Sequence, residues 1–212
     1  MSPLLRFIIV AVIGYLLGSC NSAIIVSKLF LHKDIRTIGS GNAGLTNAHR
    51  CMGAKCTLLV LFGDIIKTVI AVLIAAALFA SLPDMVPVAK LLCGLFVVTG
   101  HMFPLYFGFK GGKGVLSGGT LCAVFNWKIF IILAIVFVIV VAVTRYVSLG
   151  SVIVATAFPF MNLGFYWHSP CLIPIFLMTL LIGSGVVYMH RANIGRLLHG
   201  KENKLTFRKK TS

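Results

Sequence analysis

The segment Lys110-Gly111-Gly112-Lys113-Gly114 comes shortly after Gly100-His101-Met102-Phe103-Pro104. Glycines let backbone amides turn toward an anion, and lysines supply the opposite charge, so this run suits a phosphate. It is not a Walker A loop, because Gly114 rather than Ser or Thr follows Lys113. The plain alternative is a basic anchor at a membrane surface. Three tightly spaced glycines set among two lysines favour the phosphate.

Two further segments have the same character. Gly39-Ser40-Gly41-Asn42-Ala43-Gly44-Leu45-Thr46-Asn47-Ala48-His49-Arg50 offers neutral hydrogen-bonding groups at Ser40, Asn42, Thr46 and Asn47. It closes on Arg50, whose planar guanidinium suits a phosphate fork. Read alone, it is equally a flexible inter-helix loop, since Gly, Ser and Asn populate any turn. The third segment is His190-Arg191-Ala192-Asn193-Ile194-Gly195-Arg196-Leu197-Leu198-His199-Gly200-Lys201-Glu202-Asn203. A helical continuation of the preceding span would put His190 and Asn193 on one face. A basic juxtamembrane tail would explain the Arg and Lys residues but does not need His190 or Asn193.

The elements that must position these segments are apolar. The chain has 212 residues, 59% of them hydrophobic, and a mean hydropathy of +1.04, far above soluble usage. This is the profile of an all-α integral membrane protein, a single helical bundle over residues 1–212. Residues 190–212 are expected to form a basic tail that includes the third segment. Runs of about 20 apolar residues can span a bilayer. Phe7–Leu29, Thr57–Ala80 and Val86–Tyr106 qualify. Polar interruptions then divide the rest into Val115–Phe125, Ile129–Thr144, Leu149–Tyr166 and Cys171–Met189. The first of these is short. It reaches only if Gly118 and Gly119 permit close packing or if it belongs to a partly re-entrant layer. Seven crossings are expected, with five full spans plus two short helices as the alternative. Residues 1–30 read as a retained first span rather than a signal peptide, because Gly18-Ser19-Cys20-Asn21 is not a clean cleavage site.

The charge balance is 19 Lys+Arg against 4 Asp+Glu. On a soluble chain this would suggest nucleic acid. Here apolar helices separate the basic residues, and nucleic acid is excluded as a partner. Placing residues 30–56 inside collects Lys28, Lys33, Arg36, Arg50, Lys55, Lys110, Lys113, Arg145 and the basic tail on one side. Arg6, Lys90 and Lys128 fall on the other. The positive-inside rule then puts the N-terminus outside and the C-terminus in the cytoplasm, with all three polar segments on the cytoplasmic side. Asp64 lies within a span and should pair with Lys67 or another cation, since a lone carboxylate is costly there. The six cysteines form no CxxC pair and read as small packing residues.

The three segments together resemble those of the bacterial acyl-phosphate:glycerol-3-phosphate acyltransferases. That family carries motifs close to GSGNxGxTNxxR, GHxFPxxxxFKGGKGV and HxxNIxRLxxGxE, here GSGNAGLTNAHR, GHMFPLYFGFKGGKGV and HRANIGRLLHGKE. Asp64-Ile65-Ile66-Lys67 and the TRYVS run from Thr144 to Ser148 also look alike. The departures are mild: Leu116-Ser117 stands where Ala-Thr is frequent, and Ala192 where a polar residue is frequent. The resemblance implies acyl transfer from acyl phosphate to the 1-hydroxyl of sn-glycerol 3-phosphate, giving lysophosphatidic acid and phosphate. It implies a bacterial cell membrane, no cofactor and no metal. An acyl-phosphate-producing enzyme would precede this step and a second acyltransferase would follow it.

On this reading Ser40, Arg50, Lys113, Ser148, His190 and Asn193 form the reacting centre. Asn42, Thr46, Asn47, His101, Lys110, Gly111, Gly112, Gly114, Arg191 and Arg196 hold substrate. No HxxxxD pair or Ser-His-Asp set is readable. Acyl phosphate is a mixed anhydride with a good leaving group, so its own phosphate could accept the hydroxyl proton. A base at His190 ranks second, and an acyl-enzyme on Ser40 or Ser148 third. A transporter of phosphate esters is the rival class. It would need polar groups continuing through the spans, and the chain shows no internal repeat.

Overall fold

The structure, a computed structural model, describes residues 1–205; Arg208, Lys209 and Lys210 of the expected tail lie outside the described residues. Helices α1 (Pro3–Ser19) and α2 (Ser22–Leu31) are followed by the long α3 (Leu45–Leu78), then α4 (Val86–Met102) and the short α5 (Val115–Phe125). Then come α6 (Trp127–Thr144), α7 (Val147–Phe165), α8 (Leu172–Met189) and α9 (Arg191–Leu198). Among the described residues, six segments are long and apolar enough to cross a membrane. The eleven residues of α5 extend only about 16 Å at 1.5 Å per residue, half a bilayer core.

One expected span is interrupted, and another helix is kinked ahead of its span. The first breaks at Cys20-Asn21, where the Asn21 side chain accepts from the Ile24 amide and starts α2 as a separate helix. In α3, Gly53 sits at φ 74°, ψ 177°, a conformation open chiefly to glycine. The first turns of α3 therefore form a separate piece that carries the end of the first polar segment. Gly118 and Gly119 do not serve close packing, because a Cβ at either would meet open space. Close approach is instead a property of α1 against α4, where methyls at Gly14 and Gly18 would strike the carbonyls of Cys93 and Val97.

The contacts fix relative directions. Gly14 and Gly18 face Cys93 and Val97, so α1 and α4 run parallel. Arg6 donates to the Leu78 carbonyl at 2.9 Å, so α3 returns to the start of α1. One core joins α4, α5, α7 and α8 around Val98, Leu121, Phe158 and Ile182; another joins α1, α3 and α4 around Val10, Ala71 and Val97. The outward faces are apolar too, as at Ile135, Val138, Ile139 and Val143 of α6. In lipid such faces carry no penalty. The ends of α2, α4, α6 and α8 all lie at one end of the bundle, and the three polar segments meet there.

Candidate active site

The glycine segment does something different from what its composition suggests. The amides of Gly111 and Gly112 donate to the carbonyls of Met102 and His101, each at 3.0 Å. These are carbonyls of the last turn of α4, left without intrahelical partners. The chain thus doubles back on the helix it has just left, and those amides are not free for an anion. Glycine is required because a Cβ at Gly111 would strike the His101 carbonyl, and one at Gly112 the His101 ring and the Ala43 carbonyl. Gly114, at φ 78°, then turns the chain into α5. The groups left to meet an anion are the Lys113 ammonium and the first amides of α5, whose helix end carries partial positive charge.

The first segment is joined to this loop through its backbone. Asn21 Nδ2 donates to the Ala43 carbonyl at 3.2 Å, and Ala43 lies against Gly112. Arg36, held by Asp34 at 2.7 Å, donates to the carbonyls of Phe107 and Lys110 at 2.6 and 3.0 Å. The Arg36 hydrogen bonds pull the Asp34 carboxyl below its ordinary value against partial burial. Asn47 spends its side chain inside the loop: Oδ1 accepts from the Ser40 amide at 2.9 Å, and Nδ2 donates to Ile35 and Ile38 carbonyls. It shapes the segment, at about 1 kcal/mol per bond. Ser40, Thr46 and Arg50 are exposed and Asn42 half-buried.

The third segment brings the side chains together. Rather than continuing α8, the chain breaks at His190 and restarts as α9. His190 Nδ1 lies 2.8 Å from the Val186 carbonyl. A carbonyl only accepts, so Nδ1 carries the proton and Nε2 of the neutral ring keeps its lone pair. Burial and the nearby Lys113 charge push the His190 pKa below 6.5, against the Val186 bond and Glu202. At neutral pH the ring is therefore uncharged.

Asn193, on α9, is gripped from both sides. Lys113 Nζ donates to its Oδ1, and its Nδ2 donates to Glu202 Oε1 at 2.6 Å. The amide orientation follows from chemistry, since an ammonium only donates and a carboxylate only accepts. Glu202 Oε1 also accepts from Ser148 Oγ at 2.9 Å, and Oε2 from Arg196 Nε at 2.7 Å. Partial burial pushes the Glu202 carboxyl up, but the bonds from Asn193, Arg196 and Ser148 outweigh it and leave the pKa below 4.5. Burial pulls Lys113 down to about 8; Glu202 opposes this and Arg196 adds to it. The Lys113 ammonium is thereby poised near its own titration.

The basic tail, as far as residue 205, is a wall of this site. Beyond Glu202, the Leu205 amide donates to the Arg145 carbonyl at 2.7 Å, and Lys204 lies over the Tyr146 ring. Sequence reasoning omitted Glu202. Its signal was rarity: it is one of four carboxylates in the chain and closes the third motif. Thus Lys113, Ser148, His190, Asn193 and Arg196 converge. Arg191 instead stacks on Tyr188 at 4.4 Å and donates to its carbonyl. Lys110 is exposed at the rim. His101 is 3% exposed beneath the glycine loop.

Apolar outward faces, with a lysine, a helix N-terminus and a hydrogen-bonded polar cluster gathered at one end, define a helical membrane protein with a basic polar site at that end. Residues 8–200 match the family model described as Glycerol-3-phosphate acyltransferase. Relatives named glycerol-3-phosphate acyltransferase include one from Clostridioides difficile, 42% identical across 94% of this chain and 95% of that protein. Another, from Chlorobium phaeobacteroides, is 37% identical across 94% and 97%. The crystal structure of PlsY (YgiH), an integral membrane glycerol 3-phosphate acyltransferase in its glycerol 3-phosphate form, aligns with a TM-score of 0.82. It is 33% identical, over 94% of this chain and 96% of that one. The same protein in its lysophosphatidic acid form aligns at 0.79, with 32% identity over 94% and 95%. The chain belongs to the glycerol-3-phosphate acyltransferase family and is a multi-pass membrane protein.

Proposed function

We propose that the acyl donor is acyl phosphate and that the acyl group passes to the 1-hydroxyl of sn-glycerol 3-phosphate. The products are lysophosphatidic acid and inorganic phosphate, in the first acylation of phospholipid synthesis. The observation that carries this reading is the Lys113–Asn193–Glu202–Ser148 chain of hydrogen bonds at the start of α5. Two phosphates must lie side by side in this reaction. Lys113, the α5 amides, Arg50 and Arg196 provide for them, with Lys110 and Arg191 at the rim. Ser40, Asn42 and Thr46 line the approach, and Asn47 and His101 support the loops. The acyl tail lies in lipid between the helices.

In the reacting step the acceptor hydroxyl oxygen attacks the acyl carbonyl carbon. The bond from that carbon to the phosphate oxygen breaks, and the hydroxyl proton passes to the departing phosphate. Lys113, at the start of α5, holds the acceptor's own phosphate, and Arg50 and Arg196 offset charge on the departing one. Asn193 Nδ2 donates its second N–H to the attacking hydroxyl oxygen, and His190 Nε2 accepts from the neighbouring 2-hydroxyl, which leaves the reacting proton aimed at the phosphate. Holding both reactants in line supplies roughly 7–11 kcal/mol. His190 is a weak base with its lowered pKa, which favours the substrate's own phosphate as proton acceptor. Ser148 has a carboxylate at 2.9 Å, an activating partner invisible in the local sequence. With three donors on it, Glu202 is too weak a base to make Ser148 an efficient nucleophile.

The charge asymmetry between the two ends supports a cytoplasmic site in a bacterial cell membrane, N-terminus outside, reached by an acyl-phosphate-producing enzyme and supplying a second acyltransferase. Purified protein given glycerol 3-phosphate with either acyl phosphate or acyl-CoA tests the donor. Transfer with phosphate release is expected from acyl phosphate. Transfer from acyl-CoA alone refutes the proposal.

A further inference from the structure

A charge cluster lies beneath the glycine loop, outside the reacting centre. Asp64 and Lys67 on α3 are 1% and 7% exposed and pair at 2.7 Å. Ser22 donates to Asp64 Oδ1 at 2.9 Å. Lys67 Nζ donates to the carbonyls of Gly18 and Cys20 at 3.2 and 3.0 Å, where α1 gives way to α2. The same ammonium, its three N–H shared among four acceptors, lies 3.1 Å from His101 Nδ1, while the Asp64 carboxylate lies farther from that nitrogen at 3.7 Å. An ammonium only donates, so Nδ1 is the acceptor and Nε2 carries the proton. The Nε2 edge of this ring lies under Gly112, at the place a Cβ there would take. His101 also accepts the Gly112 amide on its own carbonyl. One residue further on is Lys113, bonded to Asn193.

We propose that Asp64 and Lys67 are positioning residues for acyl transfer. They fix the tautomer and ring of His101, which forms the floor of the glycine loop, and so set where Lys113 meets Asn193 and the acceptor phosphate. A buried pair serving only to close the α1–α2 break would not need the histidine on its third side. The geometry also explains why Gly112 tolerates no side chain: its place is taken by the ring that Lys67 holds. This inference rests on the reading that Lys113 and the start of α5, set in place by the glycine loop, hold the phosphate of glycerol 3-phosphate.

The test removes both charges together, as Asp64→Leu/Lys67→Met, since breaking one partner alone strands a buried charge. Size exclusion and thermal unfolding in detergent establish folding. A rise of about tenfold or more in KM for glycerol 3-phosphate is expected, with the donor KM within about twofold, because displacing a positioning group by an ångström costs up to about a hundredfold. His101→Gln should add little in that background, as residues of one network are non-additive. Unchanged acceptor KM in the folded double variant, with His101→Gln keeping its full effect, overturns the proposal. Should the double variant not fold, Ser22→Ala, which removes one bond to Asp64, is read the same way. A raised acceptor KM non-additive with His101→Gln supports the proposal, and an unchanged KM overturns it. Gly112→Ala separates the two readings. If it raises acceptor KM while the pair variants do not, only the positioning role fails. If it leaves acceptor KM unchanged, the loop reading fails.

Discussion

Replacing Glu202 with Gln keeps the shape of the side chain and removes its charge. Glu202 holds Ser148 and Asn193 on one oxygen and Arg196 on the other, at 2.9, 2.6 and 2.7 Å. A hydrogen bond to a charged group is worth about 1.5–3 kcal/mol and a neutral one about 0.5–1.5, so the first two bonds lose about 1 kcal/mol each. The Arg196 side chain is 43% exposed, so its ion pair contributes at most about 1 kcal/mol. The sum is about 2–3 kcal/mol, and all of it falls on the segment that carries Asn193. A Gln amide also offers Asn193 a donor, so the orientation that aims Oδ1 at Lys113 is enforced from the Lys113 side alone. Felt wholly in the transition state, this lowers kcat/KM about 30- to 150-fold. The assay is acyl transfer to glycerol 3-phosphate by the detergent-purified variant, with its unfolding midpoint as control. Because the Glu202 pKa is lowered, its contribution is present above pH 4.5 and is lost as pH falls below that. A Glu202→Gln enzyme within about threefold of wild type across neutral pH would refute the reasoning.

Lys113 titrates near 8 and must be charged to hold phosphate, so kcat/KM should fall as pH rises through about 8. Lys113→Arg should remove that limb from the pH profile, and a limb that persists unchanged belongs to another group. His190→Gln and His190→Asn should retain more activity than His190→Ala, with no acidic limb in kcat from the imidazole. Equal inactivity of all three with glycerol 3-phosphate binding intact would make His190 the base. Arg50→Lys keeps the charge but loses the planar fork, and an activity loss of about tenfold is expected. Near-normal turnover would show that charge alone is needed there.

Much of this protein was legible in its residue order. Apolar runs marked the spans because a bilayer demands length and hydropathy, both local properties. Asp64 and Lys67 could be paired in advance because residues three apart share a helix face. The three motifs named the candidate residues and the end of the bundle where they meet. Other features came only from packing. Ser148 and Glu202 are 54 positions apart, and Lys113 and Asn193 are 80. No spacing rule predicts contacts between helices at such distances. The break at His190 and the docking of residues 202–205 on the α6–α7 turn turned an expected free tail into a wall of the site. The glycine amides, read as anion donors from composition, are consumed by the end of α4, because a helix terminus leaves carbonyls that must be satisfied wherever the chain passes. Sequence determined which chemical groups are present and which are close neighbours along a helix. Tertiary structure decided which of those groups remain free to meet a substrate, because each donor and acceptor goes to the partner that packing brings within reach.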